Sequence, residues 1–576
     1  VATNDTTLIA GNKLSVEAAH ETHNESHFTE TKQSGLFSSG GIGFTLGSKQ
    51  QSTDQKSEAS TAGKSTIGST DGNVTLIAGE KYRQQGSDVI AAKGNIEITA
   101  KSVEILEARE TSKTTTETKF SQSGLTLAIT SPVITAVQTA QQMSQAAKDT
   151  KDGRMKVLAA ANVGLAANNA IDAIKAGQGA TTPDGKTNQV PVVDDKGQVI
   201  DTRNANAADQ AGGINISISL GASKSSSTST QTSDTAAVSN LTAGRDININ
   251  ATGAGKDSDL TIQGSKAAAT RDIILAADDE IRLLAARNTA DQKSSNKNSS
   301  ASVGIGFSLG GQQNGFTIQA GVSGGRGSAD GKDVGYTNTH VEAGNTLTVQ
   351  SGGDTTLKGV VAKGEQVVAN VGGNLAIESL QDTSTYNSQQ KSAGVSISVC
   401  VPPFCYGAAS SGSVSASQSK IDSNYASVAE QSAIRAGDGG FQVNAQGNTD
   451  LKGGAITSTQ AAIDKNLNSF QTGGALTTSD IQNQASYSAK SVSVNVGTGF
   501  SPSGSLTPGG TSVGFGKDGG NASSTTQAAI SGIAGNKDAR TGDKETGIQK
   551  IFDQQKVQKE IAAQTQITQM FGQMAP

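Results

Sequence analysis

Three of the four histidines in the chain fall in one short stretch, AHETHNESHFTET, as His20, His23 and His27, with Glu21 and Glu25 between them. Imidazoles and carboxylates are ordinary ligands of zinc and copper, so these three histidines are the first candidate metal ligands. The two cysteines, Cys400 and Cys405, stand in SVCVPPFCYG, where Pro402 and Pro403 bend the chain back. Two readings stay open for them: a disulfide across a tight loop, which suits an oxidising compartment, or two free thiols. A zinc pair is disfavoured, because no histidine lies nearby and a closed site needs four ligands.

Other stretches with chemical potential fail on spacing. TAGKST (61–66) ends like a phosphate-binding loop, but Glu58 stands where that loop needs glycine. GIGFTLG (41–47) returns as GIGFSLG (304–310) with no helical pattern after it, so it is a strand motif and no dinucleotide fingerprint. Asp278 to Glu280, and Asp194 with Asp195, lack the glycine-rich nonapeptides of calcium-binding β-rolls and read as solvated turns. His340 has no nucleophile beside it in sequence. The expectation is a protein that is not an enzyme, with no catalytic residues, no cofactor and no cofactor-binding residues.

What must position any site is an unusual chain. Its 576 residues include 69 Gly, 8 Pro and no Trp; 3% are aromatic and 17% charged. Such a chain cannot build a thick aromatic core, but it can build a thin one from layers of Val, Ile, Leu and Ala. The formal net charge of -5 is too small for the usual disordered composition, and no basic stripe suggests a nucleic-acid partner. No signal peptide is visible, and no run reaches the apolar length of a membrane-spanning helix. VATNDTTLIAG begins in mid-pattern, so the chain reads as part of something longer.

Self-similarity is the strongest signal. TLIAG occurs at 7–11 and again at 75–79. SDLTIQG, GDTTLKG and GNTDLKG end at Gly264, Gly359 and Gly453, steps of about 95 and 94 residues. EAAHET (17–22) matches LEARET (106–111), LAARNT (284–289) and ESLQDT (378–383), which sets His20 against Arg109, Arg287 and Gln381. The copies carry Ser, Thr or Ala where this stretch has His23 and His27, so the histidines read as exposed residues of a surface segment and remain only weak metal candidates. A shorter beat runs inside each unit. Gly-Asn or Gly-Asp turns precede strands in which aliphatic residues alternate, as in Ile96 and Ile98, Ile247 and Ile249, or Leu375 and Ile377. Gly and Asn tolerate positive φ, so they suit the corners. One-sided strands of this kind predict an all-β fold, a right-handed parallel β-helix.

The beat divides the chain. Residues 1–130 and 213–498 carry the β-helix repeats. Residues 131–212 are rich in Ala, Gln, Met and Lys and predict a helical hairpin and loop insertion. Residues 499–546 have the Gly/Ser-rich composition of a linker, and 547–576 turn amphipathic, the start of a further helical region.

GGDTTLKG, GEQVVANVGGNLAIESLQDTSTYNSQQKS, DSNYASVAEQSAIRAGDGGFQVNAQGNTDLKGGAITSTQ and PVITAVQTAQQM closely resemble the second haemagglutinin-repeat region of two-partner secretion exoproteins, the filamentous haemagglutinin and contact-dependent growth inhibition (CdiA-type) family. The resemblance covers nearly all of the chain. It implies a secreted, cell-surface stalk, transiently periplasmic, exported through a cognate outer-membrane transporter. It implies a role in delivering a C-terminal toxin into neighbouring bacteria, with the target-cell outer membrane or a surface receptor as partner. An immunity protein would concern only the toxin domain, and the Val-Glu-Asn-Asn junction motif that precedes such toxins is absent. The alternative is an adhesin that binds cell surfaces. The resemblance also implies that the amphipathic end, 547–576, is the start of a helical pretoxin region.

Overall fold

The computed structural model describes residues 1–38, 42–178, 189–193, 199–210, 212–310, 314–406, 410–500 and 506–574. Its organising element is the strand with one aliphatic edge. In Ile96–Ala100, Ile247–Ala251 and Ile273–Ala277 every second side chain is fully or almost fully buried. These strands stack in parallel register, Ile96 on Ile247 on Ile273 on Leu347, and Ile98 on Ile249 on Leu275 on Val349. The two TLIA copies lie directly on one another, Leu8 beside Leu76. Repetition of this contact builds a parallel β-helix with a seventeen-stranded and a nine-stranded sheet around one aliphatic core. Each buried Ile or Leu contributes about 1.5–3 kcal/mol, so a narrow core suffices if it is long.

The Asn and Asp residues at the corners act through their side chains. Asp5 Oδ1 accepts the Asn73 N–H at 2.7 Å, Asn73 Oδ1 that of Asn95 at 2.9 Å, and Asn95 Oδ1 that of Asp246 at 3.1 Å. A second ladder runs from Asp354 through Asn374 and Asn448. The glycines beside them differ from expectation. Gly72, Gly79 and Gly94 do not have positive φ. Their Cα atoms pass so close to the backbone of the previous coil that a Cβ would strike it. Left-handed glycines occur elsewhere, at Gly86, Gly264, Gly359 and Gly453, where a strand of the nine-stranded sheet ends.

The roughly 94-residue period seen in sequence is two coils plus one long hairpin. The polar stretches between coils are continuous strands of up to 26 residues. They form five hairpins: Ala19–Ser38 with Ile42–Gly63, Ala108–Thr130 with Ile214–Ala237, Ala286–Leu309 with Asn314–Thr337, Gln381–Tyr406 with Ser410–Val428, and Ile481–Phe500 with Leu506–Thr526. Side by side in chain order they make one ten-stranded antiparallel sheet. At about 3.4 Å per residue the strands are roughly 65–85 Å long. Cross-strand hydroxyl pairs hold polar stretches in register, such as Thr45 with Thr126 at 2.8 Å and Ser392 with Ser417 at 2.7 Å.

A hydroxyl locks the hairpin roots. Where the chain re-enters the β-helix, Ser65, Ser239, Thr339 and Ser432 donate to the carbonyls of Glu17, Leu106, Leu284 and Glu378, at 2.6–2.7 Å. Each accepting carbonyl belongs to the last strand before that hairpin.

The insertion joins the two strands of the second hairpin. Its helices α1 (Pro132–Asp149) and α2 (Gly153–Gln178) pack with the C-terminal helix Gln554–Met574 through Met143, Ala146, Ala159, Ala563 and Ile567. Ser131 caps α1 by accepting the Ile134 N–H. Two findings depart from the sequence reading. Gly153–Lys175, rich in alanine, is long and apolar enough to cross a membrane by length and composition. The 499–546 stretch, expected to be linker, contains the strand Leu506–Thr526, paired along its length with Ile481–Phe500. Linker composition misled because Gly, Ser and Thr suit a polar strand once a partner supplies the hydrogen bonds.

The C-terminal helix also covers one edge of the ten-stranded sheet. Phe515 N–H donates to Thr568 Oγ1 at 2.7 Å and Lys517 N–H to Gln564 Oε1 at 2.9 Å. Gly514 and Gly516 let the helix backbone approach this strand. The strand at the other edge, Ala19–Ser38, pairs on one side only, with Ile42–Gly63.

Candidate functional site: one face of the hairpin sheet

The histidines lie in the first strand of this sheet and all three are exposed. Because side chains alternate across a strand, His20 points to one face and His23 and His27 to the other. His23 and His27, four residues apart, are separated by roughly 13 Å along the strand. The three therefore do not converge, and no cluster of three or more His, Cys, Asp or Glu suited to a metal occurs among the described residues. His20, Arg109, Arg287 and Gln381 occupy equivalent places at the roots of their strands. Asp278 accepts the Gly253 N–H and Glu280 pairs with Arg282, while Asp194 and Asp195 lie outside the described residues.

His340 has a partner ninety residues away that sequence reading missed. Its Nε2 is 3.2 Å from Glu430, whose other contact is the Asn338 side-chain amide at 2.9 Å. The hydrogen bond to Glu430 raises the His340 pKa against the opposing effect of burial, and the same bond lowers that of Glu430. The pair braces the root of the fourth hairpin.

Cys400 is disulfide-bonded and lies near the tip of the fourth hairpin; the side chain of Cys405 lies outside the described residues. The backbones of Cys405 and Cys400 pair with Gly315 and Thr317, across a register shift.

The surface feature that stands out is an exposed aliphatic lattice on the outer half of the ten-stranded sheet. One cross-strand row runs Leu36, Leu46, Leu125, Leu220, Val303. Two residues outward, on the same face, lies Phe44, Leu127, Ile218, Ile305, Ile318, Val399. Leu36 is 65% exposed, Leu220 58% and Val322 59%. Isolated exposed Leu or Val is normal, whereas a contiguous array of this kind marks an interaction surface. The opposite face of the sheet carries the helices: Tyr386, Ile421 and Ala489 pack against Val557 and Ile561 of the C-terminal helix.

Cations border the lattice on its inner side. Lys297 stands directly opposite Arg326, and Arg326 directly opposite Lys391, with Lys224 one row outward. All four are exposed, and none forms an ion pair among the described residues. Nearer the sheet's open edge, Lys32 and Lys119 are paired with Glu30 and Glu117 at 3.0 Å. The unpaired cations line a trough of about 890 Å³ with Lys119, Ser226 and Gly324. Outward of the Lys297 row the described strands of the ten-stranded sheet carry no acidic residue, while the insertion at the outer end of the second hairpin carries Asp201 and Asp209. The signal was present in sequence: GIGFTLG, GINISISLG and GIGFSLG are free of charge and alternate, but alternation alone does not tell a buried face from an exposed one.

Comparison with known proteins places this architecture. The family model of the hemagglutinin repeat matches residues 46–206 and 220–395. The chain is 37% identical over 607 aligned positions to the protein named toxin CdiA of Escherichia coli, covering 100% of this chain and 18% of that protein. It is 35% identical to the tRNA nuclease CdiA of E. coli strain NC101, covering 92% of this chain and 15% of that protein. It is 34% identical to the deoxyribonuclease CdiA of Yersinia pseudotuberculosis, covering 100% of this chain and 51% of that protein. The chain thus spans less than a fifth of the length of the first two relatives. With hemagglutinin repeats matched over more than half of its residues, and a β-helix that explains their period, the chain belongs to the hemagglutinin-repeat family, as a repeat region of the CdiA and filamentous-haemagglutinin type.

Proposed function

We propose that this chain is the non-enzymatic repeat stalk of a large secreted bacterial exoprotein, and that it presents and helps deliver a C-terminal toxin into neighbouring bacteria. The observation that carries the reading is the exposed aliphatic face: a solenoid alone holds a distant domain away from the cell, but a face of this kind is built to meet something. The match to CdiA proteins over the whole chain supports the delivery context. The partners in this reading are a cognate outer-membrane transporter during export, and the outer membrane or a receptor of the target cell afterwards. An immunity protein acts only on the toxin, and no cofactor or nucleic acid takes part. A bridge between Cys400 and Cys405 fits export into an oxidising space; thiol titration of the unreduced, unfolded protein is expected to find no free thiol, and two would refute the bridge.

The test is removal of residues 1–576 in frame from the full exoprotein. Delivery predicts that surface display and cell–cell binding survive while growth inhibition of co-cultured target cells is lost. Loss of cell–cell binding itself would replace this reading with that of an adhesin.

A further inference from the structure

We infer that the middle of the hairpin sheet carries a binding track for one linear acidic polysaccharide, a chain with a carboxylate on each sugar, which crosses the strands and is held by Lys224, Lys297, Arg326, Lys391, Lys490 and Lys517. The inference goes beyond the delivery reading and does not rest on it.

Three observations carry it. The first is continuity across strands. Lys297 stands opposite Arg326, Arg326 opposite Lys391, and Lys391 opposite Gln418. Lys420, two residues from Gln418 and so on the same face, stands opposite Lys490, which stands opposite Lys517. Lys224 lies two residues from Ser226, the partner of Lys297 on its other side. Seven neighbouring strands, from Ile214–Ala237 to Leu506–Thr526, thus each place one cation on the same face. At a strand spacing of about 4.8 Å the track is about 29 Å long. Lys420 is paired with Asp422 on its own strand at 2.9 Å. The other six are exposed and form no ion pair among the described residues. Like charges directly opposite on neighbouring strands destabilise a sheet, so this row gains stability when external anions meet it. A compact anion reaches two or three of the cations, whereas an extended polyanion reaches all of them.

The second observation is segregation of charge. The whole chain has a formal net charge of -5. Yet on these seven strands the positions that form the track, and those between its cations, hold no Asp or Glu. The third is the chemistry between the cations. Ser226, Ser295, Gln389 and Gln418 offer hydroxyls and amides to sugar hydroxyls, and no aromatic side chain stands between Lys224 and Lys490. Single-stranded nucleic acid is held on aromatic stacking platforms, which this stretch lacks. Beside the cations the small residues Ser299, Gly324 and Ala393 leave the trough of about 890 Å³, with room for sugar rings. The C-terminal helix packs on the opposite face, against Tyr386, Ile421 and Ala489. A second copy of the chain would bring the same cations, so a face-to-face pair has no charge complement.

The experiment is titration of the 576-residue chain with polygalacturonate, with galacturonate oligomers, with neutral dextran and with oligothymidine of matched charge. Polygalacturonate is expected to bind, more weakly as salt rises, and dextran not to bind. Digalacturonate is expected to bind on the order of tenfold more weakly than an oligomer long enough to cross the track, because it reaches fewer cations. Replacing Lys297, Arg326 and Lys391 by Gln, or Lys490 and Lys517 by Gln, is expected to weaken polygalacturonate binding on the order of tenfold in each case. Lys13, Lys363 and Lys465 are exposed and lie outside the hairpin sheet. Their replacement by Gln changes the net charge as much as the triple variant does and is expected to leave binding within about twofold. Circular dichroism and an unchanged melting curve would show that each variant is folded. Absence of polygalacturonate binding, equal binding of dextran, or an equal loss in the Lys13, Lys363 and Lys465 variant would overturn the inference. So would digalacturonate binding as tightly as the long oligomer, or oligothymidine binding as tightly as polygalacturonate.

Discussion

A Cβ placed on Gly79 would run into the Gly11 carbonyl of the coil before it, whereas one placed on Gly11 meets nothing within 4 Å. Gly79→Ala is therefore expected to destabilise the β-helix by about 1–3 kcal/mol, and Gly11→Ala to stay within about 0.5 kcal/mol, read as urea midpoints. Similar losses at both sites would mean that coil spacing is not what selects glycine. At the same scale His340 and Glu430 give a pH signature. His340 has a raised pKa, so its contribution is full below its ordinary value near 6.5 and is lost as pH rises through the higher folded value. Glu430 has a lowered pKa, so its contribution is full above its ordinary value near 4.5 and is lost as pH falls through the lower folded value. The pair is thus strongest between those two ordinary values. About a third of each side chain is exposed, which keeps the effect below about 1 kcal/mol. Stability measured in His340→Gln is expected to lose the wild type's decline just above pH 6.5; an unchanged slope would contradict the pairing. The corner glycines before Asn, such as Gly72 and Gly94, were readable in sequence, but as positive-φ residues, which they are not. The His340 partner was not readable at all, because its ninety-residue separation spans a whole hairpin.

At the scale of elements, two contacts decide whether the hairpins and helices stay seated. Ser239 Oγ donates to the Leu106 carbonyl and accepts the Ser87 N–H, closing the root of the second hairpin inside the core. Ser239→Ala leaves both groups buried without a partner and is expected to cost about 1–3 kcal/mol, seen as faster amide exchange at Ala237–Leu241. Exchange unchanged there would show that the root is held by other means. Glu560, 4% exposed, accepts from Thr150 Oγ1 at 2.7 Å, from the Lys151 N–H at 2.7 Å and from Gln564 at 2.6 Å. It ties the C-terminal helix to the turn between α1 and α2. Glu560→Ala is expected to raise trypsin cleavage after Lys151 and Arg154 on the order of tenfold, and cleavage at the wild-type rate would contradict that role. The short β-helix strands were legible because burial of one edge forces alternation, as at Ile96 and Ile98. The hairpin strands were not. Stretches such as TSKTTTETKF (111–120) have no apolar alternation, and what makes them strands is a partner more than fifty residues away, Ser60 to Gln51 on one side and Asp234 to Ser225 on the other.

For the whole molecule, the β-helix and the hairpin sheet are two structures made from one repeat. The coils bury Val, Ile and Leu along one axis, and every second coil extends a polar hairpin that pairs with the one before it. This accounts for the sparse aromatics and the abundant Ser and Thr, and for aliphatic residues that alternate yet remain exposed at the outer end. The central claim is that successive hairpins join edge to edge in one register, since only then do the cations and aliphatics of different repeats form a common face. Ser48 and Ser123 belong to different hairpins and face each other with hydroxyls 3.3 Å apart. The most direct measurement is disulfide cross-linking of Ser48→Cys with Ser123→Cys, in a chain whose Cys400 and Cys405 are replaced by Ser. Efficient bond formation in this pair, and not in Ser48→Cys with Ser121→Cys, is the predicted result. No cross-link, or equal cross-linking of the two pairs, would show that the hairpins do not share a sheet.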